Sequence, residues 1–263
     1  MGTKIAVIGC GNLGLSIVEG LIKNNVGKNV IATRRNTDGI EHLGNSGVTV
    51  TTDNVFAIKN SKVILFALKP YRILSVIDEL KPHFTSEHII VSLATGISLD
   101  ELKSHVGPTI KIFRAMPNVA ASVGQSATCI SKNSSDKVGL MEVEKTFQLI
   151  GETILINEEL MESAVVLGAC GTAFALRFIR AMVQAGVQIG FSSKTATQIA
   201  NQTVKGAAEI LIATGNHPEA EIDKVTTPKG ITITGLNEME HQGFSAALIR
   251  GMITAYNKIE DSK

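Results

Sequence analysis

The chain has 263 residues, enough to bury a sizeable core in one or two domains. Hydrophobic residues make up 44% and charged residues 19%, the balance of an ordinary globular protein. The formal net charge of +1, with no basic tract or aromatic-interleaved basic stripe, speaks against a nucleic-acid partner. Cys10, Cys129 and Cys170 are scattered without a CxxC pair, so neither a zinc site nor a disulfide framework is indicated and a reducing, cytoplasmic setting is expected.

A strand is expected at once, over 4–8, which leaves no room for the charged and apolar regions of a signal peptide. Further strands are expected at 29–32, 48–51, 63–67, 89–93, 110–114, 127–131 and 153–156. Helical spacing fills 13–23, 71–81 and 136–149, with N-caps at Asp53, Ser98 and Ser134 or Ser135. Strand and helix in alternation imply a mostly parallel sheet of Rossmann type, covered on both faces, over residues 1–157. From 158 to 263 the pattern changes to helices alone, at about 160–190, 195–214, 219–225 and 232–258. The longest apolar stretch, 164–191, is interrupted by Arg177, Arg180 and Gln184, which favours burial among protein neighbours over a membrane span. Helices apolar around much of their circumference must be buried, and so small a unit has little capacity to cover them alone. A helical domain that dimerises is expected.

The turn after the first strand reads Gly9-Cys10-Gly11-Asn12-Leu13-Gly14 and opens directly into a helix. In a GxGxxG so placed, the first glycine permits the turn and the second lets backbone approach a pyrophosphate. The third lets the helix pack on the strand, while the helix N-terminus faces the anion. A dinucleotide site is expected there, with Gly9, Gly11, Asn12 and Leu13 against the cofactor. An NAD-preferring domain places an acid at the end of the second strand to hold the ribose 2′-hydroxyl. Here that strand ends in Thr33-Arg34-Arg35, with two guanidiniums where a 2′-phosphate would lie. NADP(H) is therefore the preferred cofactor, with NAD(H) the second candidate. Two later βα loops fall where open sheets bind ligands: Ala67-Leu68-Lys69-Pro70 and Leu93-Ala94-Thr95-Gly96. A third, Arg114-Ala115-Met116-Pro117-Asn118, carries an amide that either bonds a substrate or serves the turn.

These segments, together with Gln202-Thr203-Val204-Lys205-Gly206, His217-Pro218 and Val225-Thr226-Thr227-Pro228-Lys229-Gly230-Ile231-Thr232, resemble the pyrroline-5-carboxylate reductases in order and over nearly the whole chain. The resemblance implies reduction of the imine of (S)-1-pyrroline-5-carboxylate to L-proline, the last step of proline synthesis. It implies cofactor contacts at residues 9–13, Arg34, Asn54, 67–70 and 93–95. It implies a substrate carboxylate held by backbone N–H groups of 228–232, with Val225 against the ring and the Thr232 hydroxyl at the ring nitrogen. It further implies a homodimer through the helical domain, a site with residues from both chains, and rings of dimers as a higher assembly.

Departures from the family pattern fall near the substrate. Lys229 stands where a glycine is usual, and its side chain either adds charge near the carboxylate or points to solvent. Val119 replaces a threonine, Gly215 an acidic residue, and residues 168–173 read Gly-Ala-Cys-Gly-Thr-Ala in place of Ser-Gly-Ser-Gly-Pro-Ala. Two alternatives are a β-hydroxyacid dehydrogenase and a non-catalytic NADP sensor. The first relies on a lysine on the long helix, where this chain has none before Lys194. His217 reads as a helix cap, His42, His83, His88, His105 and His241 as surface residues, and Met141, Met161 and Met182 as core.

Overall fold

The computed structural model describes residues 3–132 and 136–261. Eight short strands form one sheet: β1 Ile5–Ile8, β2 Val30–Thr33, β3 Thr49–Thr51, β4 Val63–Phe66, β5 Ile89–Ser92, β6 Lys111–Met116, β7 Ser126–Lys132 and β8 Gly151–Leu155. Their order is β3-β2-β1-β4-β5-β6-β7-β8, and every described pairing is parallel except β6 with β7. β1, β2, β4 and β5 are buried at every position, which explains why they read as continuous apolar runs rather than alternating ones.

Helices α1 Asn12–Lys23, α2 Asn54–Lys59, α3 Pro70–Leu80, α4 Leu99–Val106 and α5 Lys137–Gln148 connect these strands. α1 buries Gly14, Ile17, Val18 and Leu21, the spacing of one helical face, in the cluster that also holds Ile5, Val7 and Ala32. The opposite face of the sheet is covered by Ile73, Ile77 and Leu80 of α3 with Leu99 and Leu102 of α4. Asp53 and Ser98 cap α2 and α4 as expected. Ser134 or Ser135 lies outside the described residues, and Asp136 caps α5 through the N–H groups of Val138 and Gly139. Sequence spacing gave no sign of α2, whose single turn and a half is too short for a periodicity to emerge.

The remaining helices are α6 Met161–Ala164, α7 Gly171–Gln188, α8 Ser193–Thr214, α9 Pro218–Lys224, α10 Ile231–His241 and α11 Phe244–Glu260, with a π-helical turn, Val165–Cys170, between α6 and α7. The single helix expected over 232–258 is two: Gly243, at φ +79, ends the first and turns the chain. By packing, one compact unit runs to Thr172 and includes the chain end from Lys258; the other spans Ala173–Asn257.

The second unit buries little of its own surface. Its core is Val183, Ala196 and Ala200, while Leu176, Ile189, Ile212 and Ile253 are exposed. The run Glu158–Gln188 is long and apolar enough to cross a membrane by length and composition, and 11% of an 18-residue apolar stretch within it is buried in the protomer. Two residue expectations are corrected. His88 is buried because its Nδ1 accepts the Thr85 N–H at 2.9 Å. Met141, expected in the core, is exposed on the outer face of α5.

Candidate active site

The loops that follow β1, β2, β4 and β5 climb side by side at the carboxyl end of the sheet. Gly9 N–H and Cys10 N–H both donate to the Thr33 carbonyl, at 3.1 and 2.7 Å. Ala67 N–H donates to the Ile8 carbonyl at 2.9 Å, and Leu93 N–H to the Phe66 carbonyl at 3.1 Å. The chain order reverses between β1 and β4, which is where doubly wound sheets open a ligand crevice.

Gly9 sits at φ +92, and a Cβ there would collide with Leu68. At Gly14 a Cβ would lie 2.7 Å from the Gly9 carbonyl oxygen, so this glycine lets α1 close onto the turn. Gly11, the middle glycine, is exposed and has no atom within 4 Å of where its Cβ would be. Bare backbone thus faces open space at the start of α1, as a pyrophosphate requires.

Capping differs among the helix ends. Side chains of Asp53, Ser98, Asp136, Ser192 and His217 cap α2, α4, α5, α8 and α9. No side chain caps α1, α3 or α10, and none of these three has an acid in its first turn. Their N-cap positions are Gly11, Lys69 and Gly230, each inside a loop that the sequence assigns to a ligand. The positive end of the helix dipole is directed at each of these loops.

Thr33 and Asn54 form a second feature of the crevice. The Thr33 hydroxyl donates to Asn54 Oδ1 at 2.6 Å, leaving the amide nitrogen of half-buried Asn54 as the group that can donate to a ligand. Arg34 and Arg35 are exposed, and neither is paired with a carboxylate among the described residues. The Arg34 charge reaches the glycine turn, where it partly offsets the effect of burial on Cys10; burial dominates, and the thiol is pushed up to about 11. Cys10 is therefore an inert packing residue. Lys69 and Pro70 are exposed, Ala67, Leu68 and Thr95 half-buried, and Leu93 and Ala94 buried.

Asn118 has both ends of its carboxamide engaged. Oδ1 accepts from Ala120 N–H at 3.0 Å, and Nδ2 donates to the Gly168 carbonyl at 3.1 Å. It thereby ties the end of β6 to the π-helical turn. In the second unit, Val225 is exposed at the end of α9, the Gly230 N–H donates to the Thr227 carbonyl at 2.9 Å, and Ile231 and Thr232 begin α10 in exposed positions. Among the described residues the Thr232 hydroxyl has no hydrogen-bond partner. Lys229 stands at φ +58, in the left-handed region.

Sequence reasoning missed three residues that organise these loops, Thr33, Glu158 and Glu162. Thr33 carried no signal, because a threonine ending a strand is ordinary. Glu158 and Glu162 did carry one: they are four apart, on one helical face, and Arg114 is a charge inside an otherwise apolar strand. Arg114 donates to Glu158 Oε1 at 3.2 Å and to Glu162 Oε1 at 2.9 Å.

A doubly wound sheet, a glycine turn with bare backbone and an all-helical second unit define a nicotinamide-dinucleotide-dependent oxidoreductase. Residues 158–262 match the family description "Pyrroline-5-carboxylate reductase dimerisation", and residues 4–96 match "NADP oxidoreductase coenzyme F420-dependent". The chain is 42% identical to pyrroline-5-carboxylate reductase 1 of Dictyostelium discoideum over 97% of its own length, and spans about half (49%) of that relative. It is 40% identical to pyrroline-5-carboxylate reductase 2 of the same organism, covering 99% of this chain and 93% of that one. The crystal structure of Plasmodium falciparum pyrroline carboxylate reductase with NADP bound superposes with a TM-score of 0.88 at 25% identity, over 99% of this chain and 98% of the other. The chain belongs to the pyrroline-5-carboxylate reductase family.

Proposed function

We propose that this chain reduces (S)-1-pyrroline-5-carboxylate to L-proline with NADPH, and that residues 1–157 and 158–263 divide the work as cofactor and substrate domains. The observation that carries the reading is that the helix N-termini at Gly11, Lys69 and Gly230, in the three loops that the sequence assigns to ligands, have neither a side-chain cap nor an acid in the first turn, while five other helices are capped by side chains.

The residues present fit the cofactor. Backbone N–H groups at Asn12 and Leu13, beside the bare backbone of Gly9 and Gly11, hold the pyrophosphate, and Arg34 and Arg35 hold the 2′-phosphate. Asn54, residues 67–70 and residues 93–95 line the rest of the dinucleotide. NAD(H) fits the same turn but leaves two guanidiniums without an anion, which favours NADPH. When bound, the cofactor supplies the hydride.

On the substrate side, N–H groups of Ile231 and Thr232 hold the carboxylate at the start of α10, where the helix dipole favours an anion. Val225 lies against the ring. The Thr232 hydroxyl bonds the ring nitrogen as the C=N electron pair moves onto it and the neighbouring carbon gains hydride, a modest acid–base contribution. Asn118 serves this side by bracing the π-helical turn. The rest is orientation, in which the protein holds two reactants in a reactive geometry and needs no metal or nucleophile.

The helical unit pairs with a second copy, because its exposed apolar helices need a cover that one protomer lacks. A partner protomer, rather than a membrane, accounts for the apolar run Glu158–Gln188, and a ring of dimers is the further assembly that the resemblance implies. Free Cys10, Cys129 and Cys170 suit a reducing cytoplasm. The test is NADPH oxidation dependent on pyrroline-5-carboxylate, with proline-dependent reduction of NADP at high pH as the reverse assay. Cofactor binding without either activity would leave a sensor in place of an enzyme.

A further inference from the structure

Ser92, Arg114 and Ser131 lie in register across β5, β6 and β7, and all three are buried. A guanidinium in such a row must be paired, since an isolated buried charge is heavily penalised. Its partners are Glu158 and Glu162, at the start of the helical segment that leaves the sheet. Each carboxylate has a second task. Glu158 Oε1 also accepts the Leu99 N–H at 2.6 Å, and Glu162 Oε1 accepts the Gly96 N–H at 3.3 Å.

Gly96, at φ +78, follows directly on Leu93, Ala94 and Thr95. Leu93 N–H donates to the Phe66 carbonyl at one end, and Ala94 N–H to Ser92 Oγ at 3.3 Å. The loop is thus fixed to the sheet on its near side and to two carboxylates on its far side, both oriented by one arginine. Glu162 Oε2 and Arg114 Nε are buried and have no hydrogen-bond partner among the described residues. So costly an arrangement stabilises the fold less than apolar packing would, and geometry is what it secures.

We propose that Arg114, Glu158 and Glu162 are positioning residues of the reaction. Through the N–H groups of Gly96 and Leu99 they set the backbone of 93–95 against the nicotinamide, and so the distance and angle of hydride transfer, while touching neither reactant. The inference rests on reading 93–95 as the nicotinamide loop.

The test uses the full-length dimer carrying Glu162→Gln, Glu158→Gln and, as the stronger lesion, Glu162→Ala. Glutamine keeps an acceptor for Gly96 N–H but loses the charge that orients it. Steady-state constants for NADPH and the imine, the primary deuterium isotope effect with 4-deuterated NADPH, the melting temperature and the emission of bound NADPH are measured together. Misplacing the ring by about 1 Å costs on the order of 10²-fold in rate, so kcat should fall about 10- to 100-fold in Glu162→Ala and less in Glu162→Gln. The isotope effect on kcat should rise, the KM for the imine should stay unchanged, and the emission of bound NADPH should shift. Folded variants with wild-type kcat, isotope effect and emission would overturn the proposal, as would a loss of rate that only tracks the folded fraction. If the wild type binds NADPH but does not reduce pyrroline-5-carboxylate, the functional reading fails; the emission of bound NADPH then still decides the positioning claim.

Discussion

The Thr33 hydroxyl donates to the Asn54 carboxamide oxygen at 2.6 Å, while the Thr33 carbonyl holds the N–H groups of Gly9 and Cys10. One residue at the end of β2 therefore fixes both the glycine turn and the amide that we propose to face the cofactor. Thr33→Val keeps the shape and the carbonyl but frees Asn54 to rotate. With one hydrogen bond worth about 1 kcal/mol, the KM for NADPH should rise by roughly 5-fold, with kcat nearly unchanged. Steady-state kinetics against NADPH checks this, and an unchanged KM would separate Asn54 from the cofactor.

Arg34 and Arg35 are exposed and unpaired among the described residues, as a waiting phosphate site requires. Arg34→Asp removes a charge-assisted contact of about 1.5–3 kcal/mol, so the KM for NADPH should rise about 10- to 100-fold. NADH, lacking the 2′-phosphate, should be affected far less. An equal effect on the two cofactors would sink the 2′-phosphate assignment.

Thr232 stands in the first turn of α10 with its hydroxyl unpartnered among the described residues. Thr232→Ala should lower turnover, on the order of 10²-fold if the hydroxyl assists proton transfer to its full extent, and should leave the Kd for NADPH unchanged. A variant that retains the wild-type rate removes Thr232 from the chemistry.

His88 carries a pH dependence of stability. Burial holds its imidazole below the ordinary 6.5, partly countered by the Ile58 backbone and by Glu87. The unfolded chain then binds a proton that the folded one resists, so stability is complete above about pH 6.5 and declines as pH falls through the window below it. His88→Asn, with Oδ1 able to accept the Thr85 N–H, should flatten the fall in melting temperature between about pH 6.5 and 5. A decline identical to that of the wild type would assign the effect to carboxylates elsewhere.

The exposed apolar face of the second unit predicts a dimer that charge can break. Leu176 is 60% exposed and Ile253 54%, so replacing both by glutamate removes nothing from the protomer's own core. Burying unpaired carboxylates costs several kcal/mol, so the dimer Kd should rise by more than about 10²-fold. Sedimentation of the double variant should give the monomer mass. A dimer of unchanged affinity would place the interface on another face.

Much of the fold was legible because its signals are local. Continuous apolar runs marked β1, β4 and β5, and Gly9 to Gly14 announced the turn whose φ of +92 at Gly9 only glycine adopts freely. Asp53, Ser98 and His217 read as caps and are caps. What stayed hidden depends on contacts between distant residues. The bond from Thr33 to Asn54 crosses 21 positions, and that from Arg114 to Glu162 crosses 48. His88 looked like a surface residue because nothing in its neighbours betrays the burial that Thr85 makes tolerable. The substrate-side assignment comes from the resemblance alone, since a proline turn before a capless helix is common chemistry.

The most direct test follows the hydride itself. With NADPH deuterated at C4 on the transferred face, the enzyme should convert pyrroline-5-carboxylate to L-proline one mass unit heavier, with the deuterium on the ring carbon beside nitrogen, one equivalent for each NADPH consumed. Proline formed without deuterium in that position, or no consumption of NADPH by an enzyme that binds it, would contradict the assignment.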